Sequence, residues 1–178
     1  MILKDIIVKI NKHIFLESIN KLFQFVLFPF MSSWFLRLLG AKVGRNCRIY
    51  VPLLLSNACF HNLKIGDNCH IGRDVMIDLA GEVCIGHNVT ISMRSTLITH
   101  VNFGDSAASR MGYQNQTGSI FIEDGVYVGA NTTILHRVKI GRNSIIGACS
   151  LVREDIPPYS LFVGVPAKAI KKINRSDC

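Results

Sequence analysis

The sequence predicts an all-β solenoid, a chain wound into parallel coils whose sides are six residues long. Three observations predict it. From Ile122 an aliphatic anchor recurs at every sixth residue without a miss, through Val128, Ile134, Ile140, Ile146 and Val152. Earlier runs keep the same period: Val43, Ile49 and Leu55; Ile65, Ile71 and Ile77; Ile85, Ile91 and Leu97. The residue after the anchor is often glycine (44, 66, 72, 86, 129, 141, 147). The residue four on is small or β-branched, as at Cys47, Cys69, Val75, Val89, Ser95, Thr132, Val138, Ser144 and Ser150.

A chain that turns every six residues points one aliphatic side chain inward per side. Glycine relieves the bend and a compact residue fills the corner. Three such sides close a triangular coil, and coils stack at the ordinary inter-strand spacing of about 4.8 Å. Each coil buries its apolar face only against the next, so the stack must be continuous. A helical period of 3.6 cannot produce this spacing, and a period-2 strand does not call for glycine every sixth residue.

Taken in order, residues 1–40 form an N-terminal helical segment. Ile2, Ile6, Ile7, Ile10, Ile14, Phe15 and Ile19 fall at helical spacing with lysines on the other face. The apolar run FQFVLFPFMSSWFL follows, interrupted by Pro29. It is shorter than the roughly twenty residues a membrane span needs, and it lacks the small-residue cleavage site of a signal peptide. Residues 1–36 therefore either pack on the domain or a neighbouring subunit, or lie peripherally on an anionic membrane surface. Residues 41–165 are the solenoid, with an inserted loop at about 101–119. Residues 166–178 are a tail with a short C-terminal helix.

Composition narrows the function classes. Hydrophobic residues make up 49% of the chain and charged ones 18%, which excludes a disordered protein. A net charge of +8 asks for an anionic partner. No run of aromatics is interleaved with Arg or Lys, so nucleic acid is not that partner. The six cysteines form no CxxC pair. Cys47, Cys59 and Cys69 fall on the small-residue position of the repeat and read as small core hydrophobes in a reducing, cytoplasmic compartment, with the membrane's inner face as the peripheral alternative.

The blocks IGDNCHIGRDVMI, IGHNVTISMRSTLITH and VYVGANTTILHRVKIGRNSIIGACSLVREDIPPYSLFVGVPAKAIKKI resemble the signature of the hexapeptide-repeat acyltransferases over roughly residues 40–173. The run from VGAN to the GVPAK tail resembles the acetyl-CoA-binding end of sugar O-acetyltransferases. The resemblance implies a left-handed parallel β-helix, a homotrimer with active sites between subunits, acetyl-CoA as acyl donor, a sugar or glycan acceptor, and no metal.

The period breaks at length once, between Leu97 and Ile122, and such an interruption of a rigid scaffold is where functional side chains sit. His100 opens it, in a context matching the family's catalytic histidine. Imidazole titrates near neutrality and can take the proton of an attacking hydroxyl. On the acceptor side the resemblance implies Asp78, which would bond a hydroxyl or else satisfy a turn. Asn102 and Asp105, just past His100, would orient its ring or touch the acceptor. For the donor it implies the backbone amides of Ala130 and Ala148, the aromatic Tyr127, and Arg153, Lys168 and Lys171 near the phosphates. Glu154 departs from a lysine found in some relatives. His136 stands where the family usually has proline, and either lines the cofactor groove or caps a turn.

Other activities share parts of this pattern. Acceptors bearing an amine are compatible with the same motifs, and so is a non-catalytic scaffold. A γ-type carbonic anhydrase shares the β-helix but needs a close histidine pair with four residues between, which this sequence lacks.

Overall fold

Why the repeat must stack is visible in the register of its anchors. In a computed structural model, which describes residues 14–21 and 28–174, the anchors form three columns of parallel strands. Face one stacks Val43, Ile65, Ile85, Ile122 and Ile140. Face two stacks Ile49, Ile71, Ile91, Val128 and Ile146, and ends on Phe162. Face three stacks Leu55, Ile77, Leu97, Ile134 and Val152. Apart from Phe162 these side chains are buried, and they form the axis of the core. Five coils result, with five strands on faces one and three.

The corners use two devices. The residue three after the anchor takes a positive φ, most often as asparagine: Asn46, Asn68, Asn88, Asn131 and Asn143. Asparagine tolerates this region because its short polar side chain bonds locally. Here the asparagines also ladder, with Asn46 Nδ2 donating to Asn68 Oδ1 and Asn68 Nδ2 to Asn88 Oδ1, each at 3.2 Å. The second device corrects the reading of glycine as relief for the bend. None of the seven glycines after anchors has a positive φ. They are small because coils meet there: a Cβ on Gly66 would lie 2.6 Å from the Gly86 carbonyl oxygen, and one on Gly129 2.4 Å from the Ala148 nitrogen.

The compact corner residue donates a hydrogen bond to the carbonyl of that glycine one coil on. Cys47 and Cys69 do so to Gly66 and Gly86 at 3.0 Å, Ser95 and Thr132 to Gly129 and Gly147 at 3.1 Å. Burial pushes the Cys69 thiol up to about 11, so it stays protonated and serves as a small donor. Cys59 is only half-buried, and in this respect differs from Cys47 and Cys69. Beyond Cys59 the chain makes a short 3-10 turn, Phe60–Asn62, which takes it out of the hexad pattern.

All three lengthenings of the period fall at one corner, between faces three and one. The 3-10 turn occupies it in the first coil, residues 79–82 in the second, and the long insertion in the third. The insertion adds no height, since Val83–Ile85 pairs directly with Ile120–Ile122.

The two ends are closed differently. The helix Pro29–Leu38 lies on the first coil. Its inward face carries Ser32, Ser33 and Leu36, and Ser33 Oγ donates to the Cys47 carbonyl at 3.1 Å. The Arg37 guanidinium donates to the carbonyls of Val43 (2.8 Å) and Gly44 (2.5 Å). Residues 14–21 are also helical, and Asn20 bonds both backbone groups of Leu55. The rest of the expected amphipathic segment, residues 1–13 and 22–27, lies outside the described residues.

At the far end the expected C-terminal helix is instead a strand. Lys168–Lys172 folds back antiparallel on Ser160–Val163. The alanine and lysines of KAIKK favour a helix locally, but the open backbone edge of face two offers hydrogen bonds that outweigh this weak preference.

Candidate active site

The insertion leaves the solenoid as an antiparallel hairpin. His100–Val101 pairs with Gln116–Thr117, and the chain re-enters where the Gly118 amide donates to the Thr99 carbonyl at 2.8 Å. Between these strands a single helical turn, Ala107–Arg110, is capped by Ser106. The Phe103 and Tyr113 rings meet at 5.7 Å, and the Asn115 side chain accepts from the Phe103 amide at 2.9 Å. His100 is thus the first residue to leave the rigid coil, fixed on one side by the core and on the other by the hairpin.

Its orientation is set from the coil below. His100 Nδ1 lies 2.5 Å from Asp78 Oδ2. Asp78 is 2% exposed, whereas the His100 side chain is 34% exposed. The same Oδ2 accepts from the Thr99 amide at 2.9 Å and lies 2.7 Å from the Thr99 hydroxyl. Oδ1 accepts from Asn57 Nδ2 at 2.8 Å and from the Ala80 amide at 3.1 Å. Burial pushes the Asp78 carboxyl up, but the bonds from His100, Thr99, Ala80 and Asn57 outweigh it and hold it below the usual carboxylate range. An ionised carboxylate only accepts, so the His100 ring carries its proton on Nδ1 and leaves the Nε2 lone pair free of that contact.

This arrangement changes the role expected of Asp78. Both of its oxygens are taken by groups of its own chain. The turn-satisfying alternative is what the Ala80 bond supplies, and the contact with His100 is additional. A histidine proton on a buried carboxylate was the feature that sequence reading missed. Asp78 and His100 are far apart along the chain, and only the stacking of the second coil under the third brings them together.

Asn102 and Asp105 are exposed, and Asn102 folds its carbonyl onto the Gly104 amide at 2.9 Å. The partner of the His100 ring is instead Asp78. His136 follows face three one coil on. Its Nε2 lies 3.4 Å from Gln116 Oε1, which also accepts from Arg137 Nη1 at 3.3 Å. His136 therefore braces the hairpin's return strand. His87 accepts from the Asp67 amide at 2.9 Å, and the His70 ring lies tilted against Tyr50 with centroids 5.0 Å apart.

The residues expected at the donor fall into two groups. Tyr127 and Ala130 line one open groove with Tyr50, His70 and Met93, and Tyr127 Oη accepts from Ser92 Oγ at 3.1 Å. Ala148 stacks beside Gly129 in the next coil. Arg153 and Lys168 line a separate cleft with Ile156, Phe162 and Pro166, and the Arg153 guanidinium is 3.2 Å from Glu154. Lys171 is exposed opposite Leu161. Within one chain the groove and the cleft share no lining residue, and neither includes His100.

Residues 119–154 match the family described as bacterial transferase hexapeptide (six repeats). The galactoside O-acetyltransferase of Escherichia coli K12 is 32% identical over 149 residues, which cover 77% of this chain and 66% of that protein. A maltose O-acetyltransferase structure from Clostridium difficile 630 superposes with a TM-score of 0.80 at 25% identity, covering 93% of this chain and 88% of that one. A mutant of the N-acyltransferase AntD from Bacillus cereus, in complex with dTDP and coenzyme A, gives a TM-score of 0.61 at 27% identity, with 75% and 74% covered.

Proposed function

Because the chain belongs to the hexapeptide-repeat acyltransferases, we propose that it moves an acetyl group from acetyl-CoA onto a hydroxyl of a sugar or glycan precursor, with His100 as general base. The observation that carries this reading is the half-exposed His100 ring whose Nδ1 is held by the buried carboxylate of Asp78. The sugar class draws support from the galactoside and maltose acetyltransferases. Coenzyme A draws support from the GVPAKAIKK tail and the coenzyme A complex of the Bacillus cereus N-acyltransferase.

In this reaction Nε2 of His100 takes the hydroxyl proton as the acceptor oxygen attacks the thioester carbonyl. The new C–O bond forms, the C–S bond breaks, and the proton passes from Nε2 to the departing thiolate. Asp78 keeps the ring in the tautomer that leaves Nε2 basic, and its negative charge offsets the positive charge the ring gains. The groups suited to the donor lie apart from His100 within one chain, which favours a homotrimer whose sites take His100 from one subunit and the donor groove from its neighbour.

Turnover and sedimentation of one preparation test the proposal. Acetyl-CoA consumption is measured with hydroxyl sugars and with amino sugars, for the parent chain and for His100→Ala. The expected result is a trimer that acetylates hydroxyl sugars and a loss of about 10²–10⁴-fold in His100→Ala. Undiminished turnover in His100→Ala excludes the base, preference for amino sugars moves the acceptor to an amine, and full activity in a monomer removes the shared site. Absence of acetyl-CoA binding would leave a non-catalytic scaffold.

A further inference from the structure

The helix Pro29–Leu38 wears its polarity inside out. Serines and a single leucine face the first coil, while the outward arc carries Phe30, Met31, Trp34 and Leu38, 46–63% exposed. Helical geometry explains the arc, since residues i, i+1, i+4 and i+8 fall within roughly 100° of one another. The core needs none of these side chains. Ser32 and Ser33 let the helix backbone approach the coil, and Leu36 together with the Arg37 clamp on Val43 and Gly44 fixes it there.

Cations predominate around this face, although Lys64 is paired with Glu82 and Glu17 is exposed in the helical residues 14–21. From Ser18 to Gly66 the sequence holds no Asp or Glu, and it holds Lys21, Arg37, Lys42, Arg45, Arg48 and Lys64. Lys42, Arg45 and Arg48 are exposed on the coil against which the helix packs. The Arg45 side chain is 87% exposed despite a 3.6 Å approach to Asp67.

We propose that this end of the solenoid docks on an anionic lipid surface, with the Phe30, Met31, Trp34 and Leu38 face entering the headgroup boundary. Aromatic and aliphatic side chains on one helical face, flanked by cations, are what an interfacial contact requires. A second copy of this chain fits less well, because two such ends would bring like charges together. No described helix is long and apolar enough to cross a membrane. The proposal is independent of the acetyl transfer proposed above.

Trp34 is the chain's single tryptophan, so its emission reports on this face without a label. Full-length protein is titrated with phosphatidylcholine vesicles and with vesicles that also contain phosphatidylglycerol. Expected with the anionic vesicles alone are co-flotation, a blue shift and quenching by brominated acyl chains, all weakened by salt. Phe30→Ser with Met31→Ser should abolish flotation while leaving the melting temperature and turnover on a soluble acceptor unchanged. Lys42→Gln with Arg48→Gln should weaken binding by about tenfold or more. Emission unchanged by anionic vesicles overturns the proposal. So does Trp34 shielding that rises with protein concentration without lipid, which assigns the face to a second copy. Trp34 already protected from acrylamide in dilute full-length protein overturns it too, by assigning the face to the chain's own remaining residues.

Discussion

Five donors converge on the carboxylate of Asp78, and only the ring of His100 belongs to the reaction proposed above. The others explain why the carboxylate stays ionised although buried, and ionisation is what lets it fix the tautomer. Replacing Asp78 with Asn puts an amide N–H against donors and removes the charge. We expect a stability loss of about 1–3 kcal/mol at neutral pH, read from thermal melts. A carboxylate held below its usual range contributes stability that is present above that range and lost as pH falls through its lowered folded value. The gap between parent and Asp78→Asn should therefore narrow in acid, below the ordinary aspartate value of about 3.9. In turnover, kcat should fall at least about tenfold with both KM values little changed, because Asp78 acts through His100. A raised acceptor KM with unchanged kcat would instead restore Asp78 to the acceptor-facing role implied by family resemblance.

At the scale of the element, the anchors were legible because their constraint is local and repetitive: one buried aliphatic side chain per six residues, in the same column every time. The glycines were visible as a pattern but not as a cause, since bend and close approach both ask for a small residue. Only the φ values and the facing backbone separate these reasons. Gly66 shows the difference. A Cβ there meets the Gly86 carbonyl oxygen at 2.6 Å and the His87 nitrogen at 2.8 Å, both backbone atoms of the next coil. Gly66→Ala should destabilise by about 1–3 kcal/mol through forced separation of two coils. Gly104→Ala is the contrast, because its Cβ would meet nothing within 4 Å and only its left-handed φ of +51° opposes it, at roughly 1 kcal/mol. Both are read as a melting-temperature change of roughly 2–4 °C per kcal/mol for a chain of this size. Equal losses at the two positions would mean that coil spacing is not what selects glycine after the anchor. The Asp78–His100 contact was illegible for the opposite reason, since nothing local relates residues in successive coils once corners of unequal length intervene.

In the whole molecule each coil is supported by its neighbours, so the first and last coils carry the burden that interior coils share. The sequence shows where the period starts and stops, but not what covers the exposed edges, because a cap is chosen by the edge it meets. The helix Pro29–Leu38 covers one end with serines inward, against its own hydrophobic pattern. The tail covers the other as a strand, against its helical propensity. Ser160–Val163 illustrates the need: it is hydrogen-bonded to Ile145–Ile146 on one side, and without Lys168–Lys172 its other side would present unpaired amides and carbonyls. An uncovered edge of this kind pairs with other chains. Ending the chain after residue 166 also removes the Ala167 amide bond to the Leu151 carbonyl, at 2.8 Å. Such a truncation should lower the melting temperature by several degrees, roughly 2–4 °C for each kcal/mol lost. It should also make the protein associate as concentration rises, seen as light scattering that grows with time below the melting transition. Replacing the exposed Ile170 with Lys in the full chain should leave both readouts near the parent, because strand pairing there rests on backbone hydrogen bonds rather than on that side chain. A truncated chain that melts like the parent and stays monodisperse would show that face two ends stably at Ser160–Val163, and that the basic tail is held there for its charge alone.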